Sequence, residues 1–406
     1  MEQTVTGLPF LTPGLPGVGG RMRERVEDFV VEEVPRYPFS GGGEHTCLFV
    51  EKTGLSTIEA VRRLARALGR REKDFGFAGH KDARAVTRQW LTVPRLPEVE
   101  AWQLQIPGIR LLEVNRHRNR LKTGHLAGNR FEIVLRGVLE NAEETAARVF
   151  NLLERRGVPN YFGAQRFGSR GDSDLVGREM VRGSAEGALS RLLGSPREGD
   201  PDRRARELFA AGRPAEALEL WPGRDHAARK ALRMLAGGAP AERALGAWPK
   251  RLRFLFVSAC QSRMFNEVLA ARIEKIDWLQ SGDLAYLHRN GAVFEVVEAA
   301  KERARTVSFE ISPSGPMFGY KMLLAEGEPG ELERRVLERS GLELEMFKGR
   351  LALKARGERR SLRVPLDEPR ARGFEEDGEK CLRLAFGLPA GSFATGVLRE
   401  LRKTDA

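Results

Sequence analysis

Residues 76–93 (GFAGHKDARAVTRQWLTV) constrain the fold more than any other stretch of the chain. Their second half alternates with a period of two and is rich in β-branched and aromatic residues, which predicts a strand. Two glycines flank a short turn before it, where backbone can approach a ligand closely. Asp82 is therefore predicted to lie just before the start of a strand. Three cations stand near it in the sequence: Lys81, Arg84 and Arg88.

The setting of Asp82 has two interpretations. A carboxylate among cations stays ionised, which suits a nucleophile or base acting on an electron-poor carbon beside a polyanion. Alternatively, Asp82 is a surface turn residue that pairs with Lys81 or Arg84. The pattern alone favours the second interpretation, because such carboxylates are often only structural ion pairs.

The surrounding elements predict an α+β fold with a mixed, largely antiparallel sheet. A helix is predicted over residues 56–70, where an apolar stripe follows a capping box formed by Ser56 and Glu59. Another helix is predicted after Asn141. Strands are predicted at residues 28–34, 45–52, 104–136, 284–287, 292–297, 304–311, 359–364 and 380–388. Residues 367–379 predict a polar loop, and a last helix follows Ser392, a plausible cap.

Length and composition narrow the class of protein. A chain of 406 residues suits two domains. No apolar run approaches the ~20 residues that span a membrane, and no signal-peptide pattern opens the chain. Three cysteines without a CxxC motif argue against a zinc site and a disulfide framework, and predict a reducing cytoplasm. Neither a dinucleotide-binding nor a P-loop glycine motif is present.

The charge of the chain favours a polyanionic partner. The formal net charge is +12, and residues 115–130 hold several cations and no acid. These cations are Arg116, Arg118, Arg120, Lys122 and Arg130. In an extended strand the first three would share one face, where an RNA backbone could neutralise them. A solvated ladder of charges is the alternative, and RNA contact is preferred.

Five segments, in the same order, resemble the TruD family of tRNA pseudouridine synthases. The segments are VEDFVVEE (26–33), AGHKDARAVTRQW (78–90), KTGHLAGNRFEIVLR (122–136), GVPNYFGAQRFG (157–168) and LPAGSFATGVLREL (388–401). The matches reach from near one end of the chain to near the other. Five ordered matches are much more specific than any single one.

The resemblance implies a fold, a reaction and a partner. The fold is the pseudouridine-synthase catalytic domain at residues 1–157 and 359–406, with an α/β TRUD domain inserted at 158–358. The reaction is isomerisation of uridine to pseudouridine, at position 13 of tRNA, with no cofactor and no metal. The expected partner is tRNA, with no membrane. The sequence does not fix the oligomeric state, and we expect a monomer.

The resemblance also implies site residues. Asp82 is the catalytic nucleophile, while Phe29 and Phe393 line the base pocket and Asn129 contacts the target uridine. From the residues alone, the two aromatics are equally core or staple residues, and Asn129 is equally a turn cap. Three further residues are predicted to bind the substrate because their side chains suit the chemistry of the expected site. Lys81 is expected to support Asp82, Phe131 to order the pocket or fill the core, and Arg166 to hold a phosphate.

Two other functions stay open at this stage. A non-catalytic protein that binds structured RNA could retain the scaffold, although the presence of Asp82 counts against it. A hydrolase using Asp82 with His80 would cleave the same N-glycosidic bond and release free uracil. Whether Asp82 attacks the base or the sugar is not decided by any residue.

Overall fold

The computed structural model describes residues 7–81 and 83–404. Its strands are β1 Gly19–Met22, β2 Phe29–Pro35, β3 His45–Thr53, β4 Gly76–Phe77, β5 Val86–Pro94, β6 Ile109–His117, β7 Leu126–Val138, β8 Val158–Pro159, β9 Leu284–Leu287, β10 Val293–Glu295, β11 Ile311–Met317, β12 Glu358–Ser361, β13 Arg363–Val364, β14 Asp367–Glu376 and β15 Glu379–Pro389. Its helices are α1 Thr57–Ala67, α2 Glu98–Trp102, α3 Ala142–Arg156, α4 Ser173–Val181, α5 Ala185–Leu193, α6 Arg203–Ala210, α7 Pro214–Leu220, α8 His226–Ala236, α9 Ala241–Leu245, α10 Lys250–Ala271, α11 Arg303–Val307, α12 Gly327–Ser340 and α13 Ala394–Arg402.

The chain forms two compact units, one of residues 12–158 with 364–404 and another of residues 7–11 with 159–363. The first unit contains a nine-stranded sheet with the order β14-β15-β7-β2-β5-β3-β6, to which β1 adds beside β7 and β4 beside β5. Among the described residues of this sheet, β2 and β5 pair in parallel and the other pairings are antiparallel. The sheet is therefore mixed and mostly antiparallel, as predicted.

Two helices cover opposite ends of one face of this sheet. Residues of α1 pack against β3 and β5, in a core that includes Leu48, Leu64 and Leu91. At the other end Phe150 of α3 packs edge-on against Phe386 of β15, with ring centroids 6.1 Å apart. The middle of the face, over β2 and β7, lies between the two helices.

A buried ion pair ties β7 to the turn that precedes β2. The guanidinium of Arg136 donates to the carboxylate of Asp28 at 2.7 and 2.9 Å, and the Arg25 backbone N–H donates to the same carboxylate at 2.9 Å. These bonds hold the pKa of Asp28 below its usual range against the opposing effect of burial. The pair fixes the start of β2, and thereby the placement of Phe29 directly after it.

The second unit surrounds its longest helix, α10. Helices α4 and α12 pack directly against it, and α5 to α9 extend the same apolar core, which includes Val257, Met264 and Leu232. A Cβ atom on Gly177 of α4 would lie 1.9 Å from the Phe256 carbonyl oxygen, so only glycine permits this close crossing of α4 with α10. Strands β10-β9-β11-β12 form an antiparallel sheet beside this helical core.

Three sequence predictions about elements are wrong. The predicted loop at residues 367–379 is largely strand β14, an exposed edge strand whose charged residues carry little apolar signal. The predicted strand at 304–311 is helix α11 followed by the start of β11, whose buried residues ISPSGPM show no alternation. Ser392 does not cap α13, because the residue before that helix is Phe393.

No helix among the described residues combines the length and the apolar character required to cross a membrane.

Candidate active site

Strand register brings the predicted site residues of β2 and β7 to one face of the sheet. Glu33 is paired with Asn129, Val31 with Phe131 and Phe29 with Ile133. Because side chains alternate along a strand and directly paired residues share a face, these residues lie on the face that α1 and α3 partly cover. Phe29, Asn129 and Phe131 therefore lie together between the two helices.

The two phenylalanines form part of an aromatic row. Phe29 contacts Phe131 edge-on at 6.4 Å between ring centroids, and Phe131 stacks on Phe386 at 5.4 Å. Phe29 and Phe131 are 7% and 8% exposed, so both rings belong to the packed core of this unit. The guanidinium of Arg23, a residue that the sequence analysis did not single out, lies 4.4 Å from the centroid of the Phe29 ring.

Lys81 is held at both ends. Its backbone N–H donates to the Thr57 hydroxyl at 2.8 Å, and that hydroxyl donates to the Gln89 side-chain oxygen at 2.8 Å. Its ammonium group donates to the side-chain oxygen of Asn129. The start of α1 therefore anchors the backbone just before Asp82, while the side chain of Lys81 reaches β7. Asp82 itself lies outside the described residues.

Asn129 is a strand residue and not a turn residue. It lies inside β7, paired with Glu33 on one side and Leu388 on the other, so the turn-cap interpretation is wrong. The glycine before it has a structural reason: a Cβ on Gly128 would lie 2.4 Å from the Leu388 carbonyl oxygen. Because the oxygen of the Asn129 amide accepts from Lys81, its NH₂ group remains as the donating side.

Glu33 completes this network, and sequence reasoning missed it. Its carboxylate lies 3.8 Å from the Lys81 ammonium, with side chains only 1% and 7% exposed. Burial raises the pKa of Glu33 to about 7, although the nearby charge of Lys81 opposes the shift. Burial also lowers the pKa of Lys81. The available signal was a charged residue at an inward position, two residues after Val31 and four after Phe29.

Arg88, one of the cations expected near Asp82, has two acidic partners of its own. Arg88 pairs with Glu32 at 3.1 Å and with Glu51 at 2.9 Å. Its register partner is Glu32, which alternates with Glu33 and so lies on the opposite face of the sheet. Because Asp82 lies outside the described residues, the expected contribution of Arg88 to its setting stays a prediction.

The remaining two predicted residues are not part of this network. Phe393 directly precedes α13 and is 54% exposed. Arg166 belongs to the second compact unit, where it donates to the hydroxyls of Ser262 at 3.0 Å and Ser258 at 2.9 Å. Burial lowers the pKa of Arg166. Both residues keep their assigned roles as predictions.

No group of three or more histidine, cysteine, aspartate or glutamate side chains suited to a metal ion occurs within residues 7–81 and 83–404.

Comparison with known proteins gives the same family throughout. The family model for tRNA pseudouridine synthase D (TruD) matches residues 6–401. The tRNA pseudouridine synthases D of Geobacter metallireducens and Geobacter sulfurreducens are each 48% identical to this chain. The matches cover 97% of this chain in both cases, and 97% and 96% of the two relatives.

A solved structure agrees with these relatives. It is the crystal structure of a Methanosarcina mazei protein described as a candidate tRNA pseudouridine synthase D. It superimposes with a TM-score of 0.88 at 28% identity, over 98% of this chain and 96% of that one. The fold, with its central mixed sheet, is therefore that of a pseudouridine synthase. The chain belongs to the TruD family.

Proposed function

We propose that this protein isomerises a uridine of tRNA to pseudouridine, with position 13 as the expected position and Asp82 as the nucleophile. One observation supports this proposal most strongly. Lys81, the residue before Asp82, bonds to Asn129 and lies beside buried Glu33 at the centre of the sheet. A charged network is costly to bury, and one placed beside a candidate nucleophile is typical of an active site.

The proposed reaction needs no external reactant. The N-glycosidic bond between N1 of uracil and C1′ of ribose breaks, and a bond from C5 to C1′ forms. C5 loses its hydrogen and N1 gains one, so substrate and product are isomers. Asp82 can act by adding to the base or by attacking the sugar carbon, and both routes balance.

The described residues have distinct proposed roles in this reaction. Asn129 donates its amide hydrogens to a uracil carbonyl oxygen, since its own oxygen is occupied by Lys81. Lys81 thereby fixes the orientation of that amide and the backbone leading to Asp82. The target base must be unstacked from the RNA, and Phe29, Phe131 and Phe393 are the proposed aromatic residues that receive it.

We assign the remaining predicted parts in the same way. Residues 159–363 form one compact unit together with residues 7–11. We assign residues 159–363 of this unit to the inserted TRUD domain. Arg166 of this unit is the proposed phosphate contact. The domain boundaries predicted from the sequence, 158 and 358, stay a prediction, as does the cytoplasmic location.

The test compares the wild-type protein with Asp82→Asn, both incubated with a tRNA transcript in EDTA. Products are digested to nucleosides and separated. The proposal predicts pseudouridine with the wild-type protein and none with the variant, while both bind the transcript. Free uracil as the product would favour a glycosidase using His80 and Asp82. Binding with neither product would leave only an RNA-binding protein.

A further inference from the structure

A cavity lies in the sheet-containing unit, where β2 ends and β7 begins. Its volume is about 820 Å³. It is formed where β3 begins, where β6 ends and where the loop between β6 and β7 returns. Its lining includes Tyr37, His45, His117, Arg118, Lys122 and His125. We call this cavity the histidine pocket.

The ring systems of the histidine pocket are fixed by their neighbours. Tyr37 stacks on His117, with centroids 5.2 Å apart and planes at 23°. The Tyr37 hydroxyl is 2.6 Å from Nδ1 of His125. Phe39 contacts His117 at 5.7 Å and Trp90 at 4.3 Å between centroids, so the rings rest on a packed aromatic cluster. The pocket therefore offers rigid, half-buried rings on which a base can stack.

The polar groups of the pocket are mostly donors. The Ser40 backbone N–H donates to Nδ1 of His117 at 3.2 Å, which leaves the proton of neutral His117 on Nε2. Arg118 and Lys122 are exposed and add two cationic donors. No acidic side chain lines the pocket within the described part of the chain. By contrast, Arg116 turns away to pair with Glu98 at 3.1 Å.

The prediction that Arg116, Arg118 and Arg120 share one face of a strand is wrong. Strand β6 ends at His117, so Arg118 and Arg120 lie in a loop and do not continue a strand face with Arg116. Arg120 donates to the carbonyl oxygen of Phe75. The loop between β6 and β7 therefore places Arg118 and Lys122 at the pocket. Their positive charges favour an anionic ligand.

The pocket lies close to the candidate active site along β7. Glu33 pairs with Asn129 and Pro35 with Leu126, with a register shift between Val34 and Pro35. His125 is four residues before Asn129, a span of about 13 Å in an extended chain. That distance is too long for the target uridine itself and short enough for the RNA beside it.

We propose that the histidine pocket binds a nucleotide that flanks the target uridine. Its base stacks on the rings of Tyr37 and His117, and its phosphodiester contacts Arg118 and Lys122. The inference rests on the proposed function, because it requires that the target lie beside Asn129. It adds a second recognition point for the RNA, separate from the residues that act on the uridine.

The first test separates this site from a general positive field. Arg118→Gln with Lys122→Gln removes two charges from the pocket. Arg66→Gln with Lys73→Gln removes two exposed charges elsewhere in the same unit and serves as the matched control. We expect the pocket variant to weaken tRNA binding more than tenfold and the control less than twofold. The slope of log affinity against log salt should fall by about 1.4 to 1.8 for the pocket variant. Equal losses in both variants would overturn the proposal.

The second test identifies the nucleotide. A series of RNA substrates carries a single abasic ribose at each position around the target, and binding is measured for the wild type, His117→Ala and His117→Phe. We expect one flanking position at which the wild type loses roughly 5- to 100-fold in affinity. His117→Ala should be insensitive to that change, and His117→Phe, which retains a ring, should remain sensitive. The absence of any position coupled to His117 would overturn the proposal.

The outcomes also distinguish this inference from the proposed function. A wild-type protein that shows the coupled position without forming pseudouridine would refute the proposed reaction and support the pocket. A wild-type protein that forms pseudouridine without any coupled position would refute the pocket alone. Thermal unfolding of each variant, unchanged from the wild type, shows that a loss of binding does not come from unfolding.

Discussion

Lys81 connects the three parts of the candidate site. Its backbone is bound to Thr57, and its ammonium group reaches Asn129 and Glu33. We predict that Lys81→Met lowers kcat by roughly 100-fold, because the Asn129 amide loses the partner that orients it. The rate of pseudouridine formation at saturating tRNA measures this effect.

A matched variant, Lys73→Met, shows whether the loss of any one positive charge from this unit lowers kcat. Lys73 is exposed in the same unit, and Lys73→Met should leave kcat within about twofold of the wild type.

At pH 6 the unfolding temperature of Lys81→Met should change little, since Glu33 can take up a proton when its cationic neighbour is removed. A Lys81→Met protein with wild-type kcat would remove Lys81 from the proposed site.

Glu33 should make stability depend on pH. Burial raises its pKa to about 7 in the folded protein, above the usual value of 4.5. The folded state therefore binds more protons than the unfolded state between pH 4.5 and 7, and the free energy of unfolding falls as pH rises through that window. The loss attributable to Glu33 is on the order of 3 kcal/mol.

Glu33→Gln provides the reference for that measurement. Its neutral amide does not titrate, so the difference in unfolding free energy between wild type and variant should shift in favour of the variant from pH 4.5 to 7. Above pH 7 the difference should be constant. Denaturant unfolding at a series of pH values gives it directly. A difference independent of pH would show that Glu33 titrates normally.

At the residue scale, the family resemblance and the local pattern predict different roles for the same side chains. The resemblance predicts site roles for Asp82, Asn129 and Phe393, whereas the pattern alone gives each of them an ordinary structural explanation. Glu33 was missed because its neighbour across the sheet, Asn129, is 96 positions away in the chain. Sequence proximity to Asp82 does not show on which face of β5 the side chain of Arg88 lies, and its pairing with Glu32 does.

The start of α1 is the element that supports the site. Ser56 caps the helix, with its hydroxyl accepting from the Glu59 backbone N–H at 3.2 Å. The next residue, Thr57, holds Lys81 and Gln89 through one hydroxyl. These adjacent hydroxyls allow a matched comparison, because one supports only the helix and the other reaches the candidate site.

We predict different consequences for the two hydroxyls. Ser56→Ala should lower the free energy of unfolding by about 1 kcal/mol with little effect on kcat. Thr57→Val keeps the shape but leaves the Lys81 N–H and the Gln89 oxygen without their partner, and should lower kcat at least tenfold. Unfolding curves and rates measured on both variants test this. A larger loss of activity in Ser56→Ala would contradict it.

At the scale of the element, helices and strands with a clear apolar periodicity are the ones that the sequence predicts correctly. The amphipathic helix after Ser56 and the alternating strand after Asp82 were predicted well, since burial on one face leaves a clear period. Helix α3 begins after Asn141 as predicted, yet the Asn141 side chain makes no capping bond. Strand β14 was not recognised, because pairing with β15 stabilises it without a strongly apolar face of its own.

At the scale of the whole molecule, the order of elements predicted the fold class but not the sheet order. The parallel placement of β2 beside β5, within an otherwise antiparallel sheet, depends on contacts between distant segments. The net charge of +12 indicates a polyanionic partner, and the cations of residues 115–130 predict where it binds. The histidine pocket gives part of that charge a position, through the loop that follows β6.

The fate of the hydrogen on C5 of uridine tests isomerisation by Asp82 most directly. A tRNA transcript labelled with tritium at C5 of its uridines is incubated with an equal amount of the wild-type protein in EDTA, and with Asp82→Asn as the control. We predict release of one tritium per tRNA together with one pseudouridine after digestion, and no release with the variant. Cleavage to free uracil with its tritium retained, or equal release by the variant, would contradict isomerisation by Asp82.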